Sequence, residues 1–134
     1  MTASPDTTTA RPAAAEPPPL DERTLGQLAQ LDPTGANRLM ARVLTAYRDS
    51  LARLSGQLAQ ARAADDLPAT RLAVHTLKSS SASIGALQLA ALCAQAELAV
   101  REGQAHTLPP VLDRLASEAV RVDAAVQHLL VQHS

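Results

Sequence analysis

The residues with most chemical content stand together in Arg71-Leu72-Ala73-Val74-His75-Thr76-Leu77-Lys78-Ser79-Ser80-Ser81-Ala82-Ser83-Ile84-Gly85. On a helical wheel of about 100° per residue with His75 at zero, Ala73, Leu77, Ser80 and Ile84 fall roughly 140–200° away. They form the one stripe there that can face a core, with Ser80 as a small residue allowing close packing. His75 therefore points to solvent. Arg71, Lys78, Ser79 and Ala82 share its face, within about 60°. A free imidazole titrates near pH ~6.5, so around neutrality most of it is an available nucleophile. Lys78, one turn on, and Arg71, one turn back, can neutralise an incoming phosphoryl group. Ser79 and Ala82 are too short to shield the ring from a docking protein. Taken alone, a surface histidine on a helix is usually a solvated residue, and Lys78 and Arg71 are usually solvated cations.

Glu97 adds a second group. His75 lies ten residues before Gly85, about 15 Å along its helix, and Glu97 lies twelve after it, about 18 Å back along an antiparallel neighbour. The two stand at similar height. Glu97 sits about 80° off the centre of its own apolar stripe, at the edge, and can reach His75. A carboxylate that accepts the proton of one ring nitrogen leaves the lone pair of the other free for attack. The plainer reading is a Glu97 that is solvated or paired with an arginine.

These residues need rods to hold them, and the helical period supplies them. Leu25, Leu28 and Leu31 mark a short helix stopped by Asp32-Pro33 and Gly35. A long helix follows over about 36–63, with Met40, Leu44, Tyr47, Leu51, Leu54, Leu58 and Ala61 stepping by 4 and 3. Asp65-Asp66 supplies a cap and Pro68 suits a first turn, so a third helix runs over about 67–84 and ends at Gly85. A fourth, over about 86–102, carries Leu89, Leu92, Cys93, Ala96 and Val100 and ends at Gly103. Thr107 can cap a fifth, with Pro109 and Pro110 in its first turn and a seam from Leu108 through Leu112, Leu115, Ala119, Val122 and Val126 to Leu129. The expectation is an all-α, antiparallel up-down four-helix bundle with a short additional N-terminal capping helix. Seven-residue spacing implies crossing near 20°. An extended coiled coil is disfavoured because Gly85 and Gly103 break the pattern at hairpin intervals. Residues 1–20 hold five of the nine prolines and read as a disordered tail or linker, with the bundle over 21–134.

Composition narrows the function classes. The 134 residues include 28 Ala and 21 Leu against 8 Val and one Ile, with Tyr47 the only aromatic, which excludes a β protein. Base stacking has no aromatic platform, and a net charge of −1 offers no field for nucleic acid or anionic lipid. Cys93 is the one cysteine and reads as a small core hydrophobe, which fits a reducing cytoplasmic setting. Residues 79–96 are uncharged, but serines, Gly85 and glutamines interrupt them, so no membrane span is expected. No secretory signal is visible. His128 and His133 are five apart, a poor spacing for shared metal ligands, and His106 falls in a loop, so no metal site is expected.

The run His75-Thr76-Leu77-Lys78-Ser79-Ser80-Ser81-Ala82-Ser83-Ile84-Gly85-Ala86, followed by Leu89, Leu92-Cys93 and Glu97, resembles the histidine-containing phosphotransfer (HPt) domain of two-component phosphorelays. The resemblance covers roughly residues 20–131 and is specific across 73–97. It implies that His75 is the phosphoacceptor on its solvent-facing nitrogen. It implies that Lys78 assists the phosphoryl group and that Glu97 hydrogen-bonds the acceptor ring. Ser79 stands where the family often has glycine, a departure that leaves the fit of a partner there open. The implied docking face lies on the third and fourth helices around Arg71, Leu72, Ser79 and Ala82. The implied partners are response-regulator receiver domains and a hybrid sensor kinase. No cofactor is expected on this chain, and Mg²⁺ would belong to the receiver. No glycine-rich phosphate loop or kinase lobe is present, so the implied protein is a carrier without ATP-dependent activity of its own. The initiator-like Met1 favours a free-standing protein, whereas the Pro/Ala-rich start resembles a linker to a kinase. A receiver-sequestering bundle that carries no phosphate and a structural adaptor are the rival readings. The apolar seams suffice for one chain's core, so a monomer is expected.

Overall fold

A computed structural model describes residues 17–133. Among them run five α-helices and no strand: α1 (Glu22–Gln30), α2 (Leu39–Ala63), α3 (Leu67–Ser83), α4 (Leu87–Arg101) and α5 (Leu108–His133), with a 3₁₀ turn at Ala105–Thr107 before α5. Each long helix packs on its chain neighbours, and α5 returns to α2, closing the four-helix bundle. The seams read from spacing become its core. On α2, Leu44 through Ala61 are buried at every expected position and Met40 is partly buried. On α5, Leu108, Leu112, Leu115, Ala119, Val122 and Val126 are buried, with Leu129 partly so.

The helix ends follow local chemistry. Asp66 caps α3 by accepting from the Ala69 amide at 3.1 Å, and Pro68 lies in the first turn. The α3 terminus is a left-handed glycine turn. Gly85 has φ +85, and the Ala86 amide reaches back to the Ser81 carbonyl at 2.8 Å. Gly85 is also a point of close approach. Its carbonyl accepts the Asp21 amide at 2.8 Å, and a Cβ there would meet Asp21 backbone atoms at 3.1 Å. This contact ties the start of α1 to the α3–α4 turn.

Several details differ from the sequence reading. The long helix begins at Leu39 rather than near 36, because Gly35 and Arg38 both take left-handed φ. Its cap comes from seven residues upstream: Asp32 Oδ2 accepts the Leu39 amide at 3.0 Å. Leu31 is 72% exposed, since α1 ends at Gln30; of the three leucines Leu25 packs against the core and Leu28 is half-buried. Thr107 does not cap α5 with its side chain, because its hydroxyl donates to the Gln104 carbonyl at 2.8 Å. Of the tail expected over 1–20, residues 1–16 lie outside the described residues. Leu20 is part of the core, and the Pro17 carbonyl accepts from Arg121 at 2.9 Å.

Candidate functional site

The buried face of α3 consists of Thr70, Ala73, Val74, Leu77 and Ser81. Ser81, not Ser80, is the buried serine. Its hydroxyl meets the Tyr47 hydroxyl of α2 at 2.8 Å inside the core, while half-buried Ser80 donates to the Thr76 and Leu77 carbonyls. The stripe is therefore centred about 30–40° away from the expected line, toward the side that carries Lys78. That rotation brings Lys78 to α4. It also leaves His75 outside, with its side chain 59% exposed.

Glu97 joins the three groups. Its carboxylate is buried, with the side chain only 8% exposed, and holds two donors at once. Oε2 lies 2.7 Å from His75 Nδ1 and Oε1 lies 2.6 Å from Lys78 Nζ. The Lys78 ammonium, first, and then the His75 contact hold the Glu97 carboxyl below its ordinary range, against the opposing effect of burial. A carboxylate has no proton to give, so Nδ1 must carry the hydrogen of the contact. The lone pair of the neutral ring is then on Nε2, the nitrogen turned away from Glu97.

Sequence spacing puts Glu97 within reach of His75 but at the edge of its stripe; in the fold it is inside. The Lys78–Glu97 contact has no counterpart in the sequence reading. Its signal is present in the 19-residue separation, close to the 22 that link His75 to Glu97. Arg71, Leu72, Ser79 and Ala82 are all exposed on the α3 surface around the ring, Leu72 at 68%. The Ser83 and Thr76 hydroxyls bond to carbonyls of their own helix, Ser79 O and Leu72 O. Cys93, one turn before Glu97, is fully buried, and burial pushes its thiol up to about 12, which keeps it an unreactive core residue. Among the described residues, no group of three or more His, Cys, Asp or Glu side chains could hold a metal ion. No helix among them is long and apolar enough to cross a membrane.

A buried carboxylate that fixes the tautomer of an exposed imidazole, on a bundle helix, is an arrangement fit for nucleophilic phosphoryl acceptance. A family model, the Hpt domain, matches residues 42–130. The chain belongs to the Hpt domain family. Among solved structures, histidine-containing phosphotransfer protein B (HptB) from Pseudomonas aeruginosa PAO1 superposes with a TM-score of 0.77 at 23% identity, covering 87% of this chain and 98% of that one. A putative histidine-containing phosphotransfer protein from rice gives a TM-score of 0.72 at 21% identity, covering 99% and 96%. At these identities the likeness is one of fold. No curated protein matches the chain. HPt domains are phosphotransfer carriers of phosphorelays that work with receiver domains and kinases, and membership of the family supports a phosphotransfer role for this chain.

Proposed function

We propose that this domain is a phosphorelay intermediate that accepts a phosphoryl group on Nε2 of His75 from the aspartyl phosphate of one receiver domain and passes it to the aspartate of another. The observation that carries the reading is the 2.7 Å contact between His75 Nδ1 and the buried Glu97 carboxylate. In loading, the Nε2 lone pair attacks phosphorus, the acyl P–O bond breaks, and the electron pair leaves with the aspartate carboxylate. Unloading is the reverse, with the second aspartate as nucleophile. Lys78 supplies charge to the phosphoryl oxygens, and Glu97 holds the ring. Arg71, Leu72, Ser79 and Ala82 form the docking surface. The receivers would be those of response regulators and of a hybrid sensor kinase, in the cytoplasm. Mg²⁺ and the activating acids would be the receiver's, and a single copy of this chain suffices for the step.

Incubation with a ³²P-phosphorylated receiver tests the proposal. Transfer of acid-labile, alkali-stable label that disappears in a folded His75→Gln variant supports it. Binding without label would make the domain a sequestering module, and neither binding nor label would make it a structural adaptor.

A further inference from the structure

His75 and Glu97 occupy the α3–α4 side of the bundle. α2 packs on α3 and α5, and α4 packs on α3 and α5, so the α2–α5 seam lies on the opposite side. A groove of about 900 Å³ runs along that seam, with Leu58 and Leu115 in its floor. From Leu51 to Ala59 on α2 and from Leu112 to Val120 on α5, the residues lining it are uncharged. Its walls are short, with Ala52, Ala59 and Ala116 exposed, and Val120 stands 71% exposed on the rim. The apolar seams fill the core of one chain, yet this face lies outside them.

Two ion pairs bridge the groove near its ends. Arg48 Nε lies 2.9 Å from Asp123 Oδ1, and Arg62 Nη2 lies 2.8 Å from Asp113 Oδ1. Both arginines belong to α2 and both aspartates to α5. The face thus carries a positive column along one helix and a negative column along the other. Two such faces can meet about a two-fold axis in two ways, and one is complementary. An axis across the helices lays α2 on α2 and arginine on arginine. An axis along the helices lays α2 of each copy on α5 of the other. Each arginine then meets an aspartate at the height where it already meets one in its own chain. The same operation sets the apolar contacts. Val120 is three residues before Asp123 and Ala52 is four after Arg48, about 4.5 and 6 Å toward the far end of the groove. Val120 of one copy is therefore level with Ala52 of the other, where a short side chain lets the helices approach.

We propose that the α2–α5 face is a homodimer interface, and that the partner it fits is a second copy of this chain. The available area suffices. Helices of 25 and 26 residues, about 37 Å long and about 10 Å apart, give a face of about 750 Å² per copy, against about 800 Å² in a standard interface. The centre is apolar and the charges stand at the rim, the usual layout of a stable contact. A single partner helix laid in the groove would have to meet columns of both signs with one side, whereas a second copy meets each column with its opposite. Nucleic acid or anionic lipid gains nothing from a face whose two ion pairs cancel. Asp49, exposed beside Arg48, adds one anion at that end, a small cost at a solvated site. The dimer is two-headed. Both α3–α4 faces point away from the axis, so each His75 stays open to a separate docking partner.

Sedimentation equilibrium of the full chain, from micromolar to millimolar concentration, tests the proposal. The expected mass rises with concentration from the 14.0 kDa of one chain toward twice that value. Val120→Glu, a change at an exposed site, should keep the wild-type circular dichroism and remain a monomer, and Ala59→Glu should do the same. Two charge variants test the register. Arg48→Glu/Arg62→Glu carries two negative columns and Asp113→Lys/Asp123→Lys two positive ones, so each should stay monomeric alone and the two should associate when mixed. A wild-type chain that keeps the mass of one copy at millimolar concentration would overturn the proposal. So would a dimer that survives Val120→Glu and Ala59→Glu unweakened, because another face would then hold it. Charge variants that dimerise alone, or that fail to associate when mixed, would overturn the pairing of α2 with α5. None of these outcomes bears on His75 as acceptor, which the labelled receiver tests separately.

Discussion

Gly85 gives the most quantitative structural prediction, because two separable costs meet there. Its φ of +85 lies in the left-handed region, where a side chain costs about 1–2 kcal/mol. An added Cβ would also come within 3.1 Å of the Asp21 N and O atoms and 3.0 Å of Thr24 Cβ. Two of those are backbone, so relief requires moving the chain and weakening the 2.8 Å bond from Asp21 to the Gly85 carbonyl, worth about 0.5–1.5 kcal/mol net. Gly85→Ala should therefore cost about 1.5–3.5 kcal/mol. Gly103 is the internal control: its φ is +69, and a methyl added there would meet nothing within 4 Å. Gly103→Ala should lose only the conformational part, about 1–2 kcal/mol. Urea unfolding followed by far-ultraviolet circular dichroism measures both, with the slope expected to stay at the wild-type value. Equal losses for the two variants would refute the idea that the N-terminal segment needs the bare Gly85.

Other outcomes follow from the site and the core. Glu97→Ala should slow phosphoryl transfer at least about tenfold, a barrier change of about 1.4 kcal/mol, with receiver affinity unchanged in a binding titration. Lys78→Ala should also slow transfer, and it should alter the pH dependence of stability. The folded Glu97 carboxyl lies below its ordinary value chiefly because of Lys78, so the stability it contributes is present above the ordinary carboxyl range and fades as pH falls through the lowered value. The wild-type advantage over Lys78→Ala should thus shrink on acidification, as denaturant midpoints at neutral and acid pH will show. Tyr47→Phe removes the buried Tyr47–Ser81 hydrogen bond and should cost about 1–2 kcal/mol; a double-mutant cycle with Ser81→Ala should show positive coupling. Burial pushes the Tyr47 hydroxyl up to about 12, so its phenolate should not appear in an ultraviolet titration before the chain unfolds.

What the sequence discloses about this protein divides by the range of the interaction. The α2 and α5 seams are legible because each is a repeated, one-dimensional pattern of Leu, Val and Ala, and burial follows that pattern directly. The caps at Asp66 and Gly85 are legible because they act within a few residues. The Asp32 cap on Leu39 is not, since it spans a loop whose left-handed turn at Arg38 has no side-chain signature. Ser80 and Ser81 are equal in hydropathy, and the Tyr47 hydroxyl that distinguishes them comes from another helix. The site is half legible. Spacing around Gly85 brings Glu97 to the height of His75, but the rotation of α3 that also delivers Lys78 depends on how the whole stripe packs. The resemblance to the HPt family supplies the expected roles, and the geometry supplies a physical basis for them.

The central claim is that Glu97 makes Nε2 of His75 the free nucleophilic atom. A ring ¹⁵N–¹H correlation spectrum of the resting protein at about pH 8, where an ordinary imidazole is neutral, tests it most directly. The expected result is a proton on Nδ1 and a bare Nε2. A ring protonated on Nε2 with Nδ1 bare would contradict it.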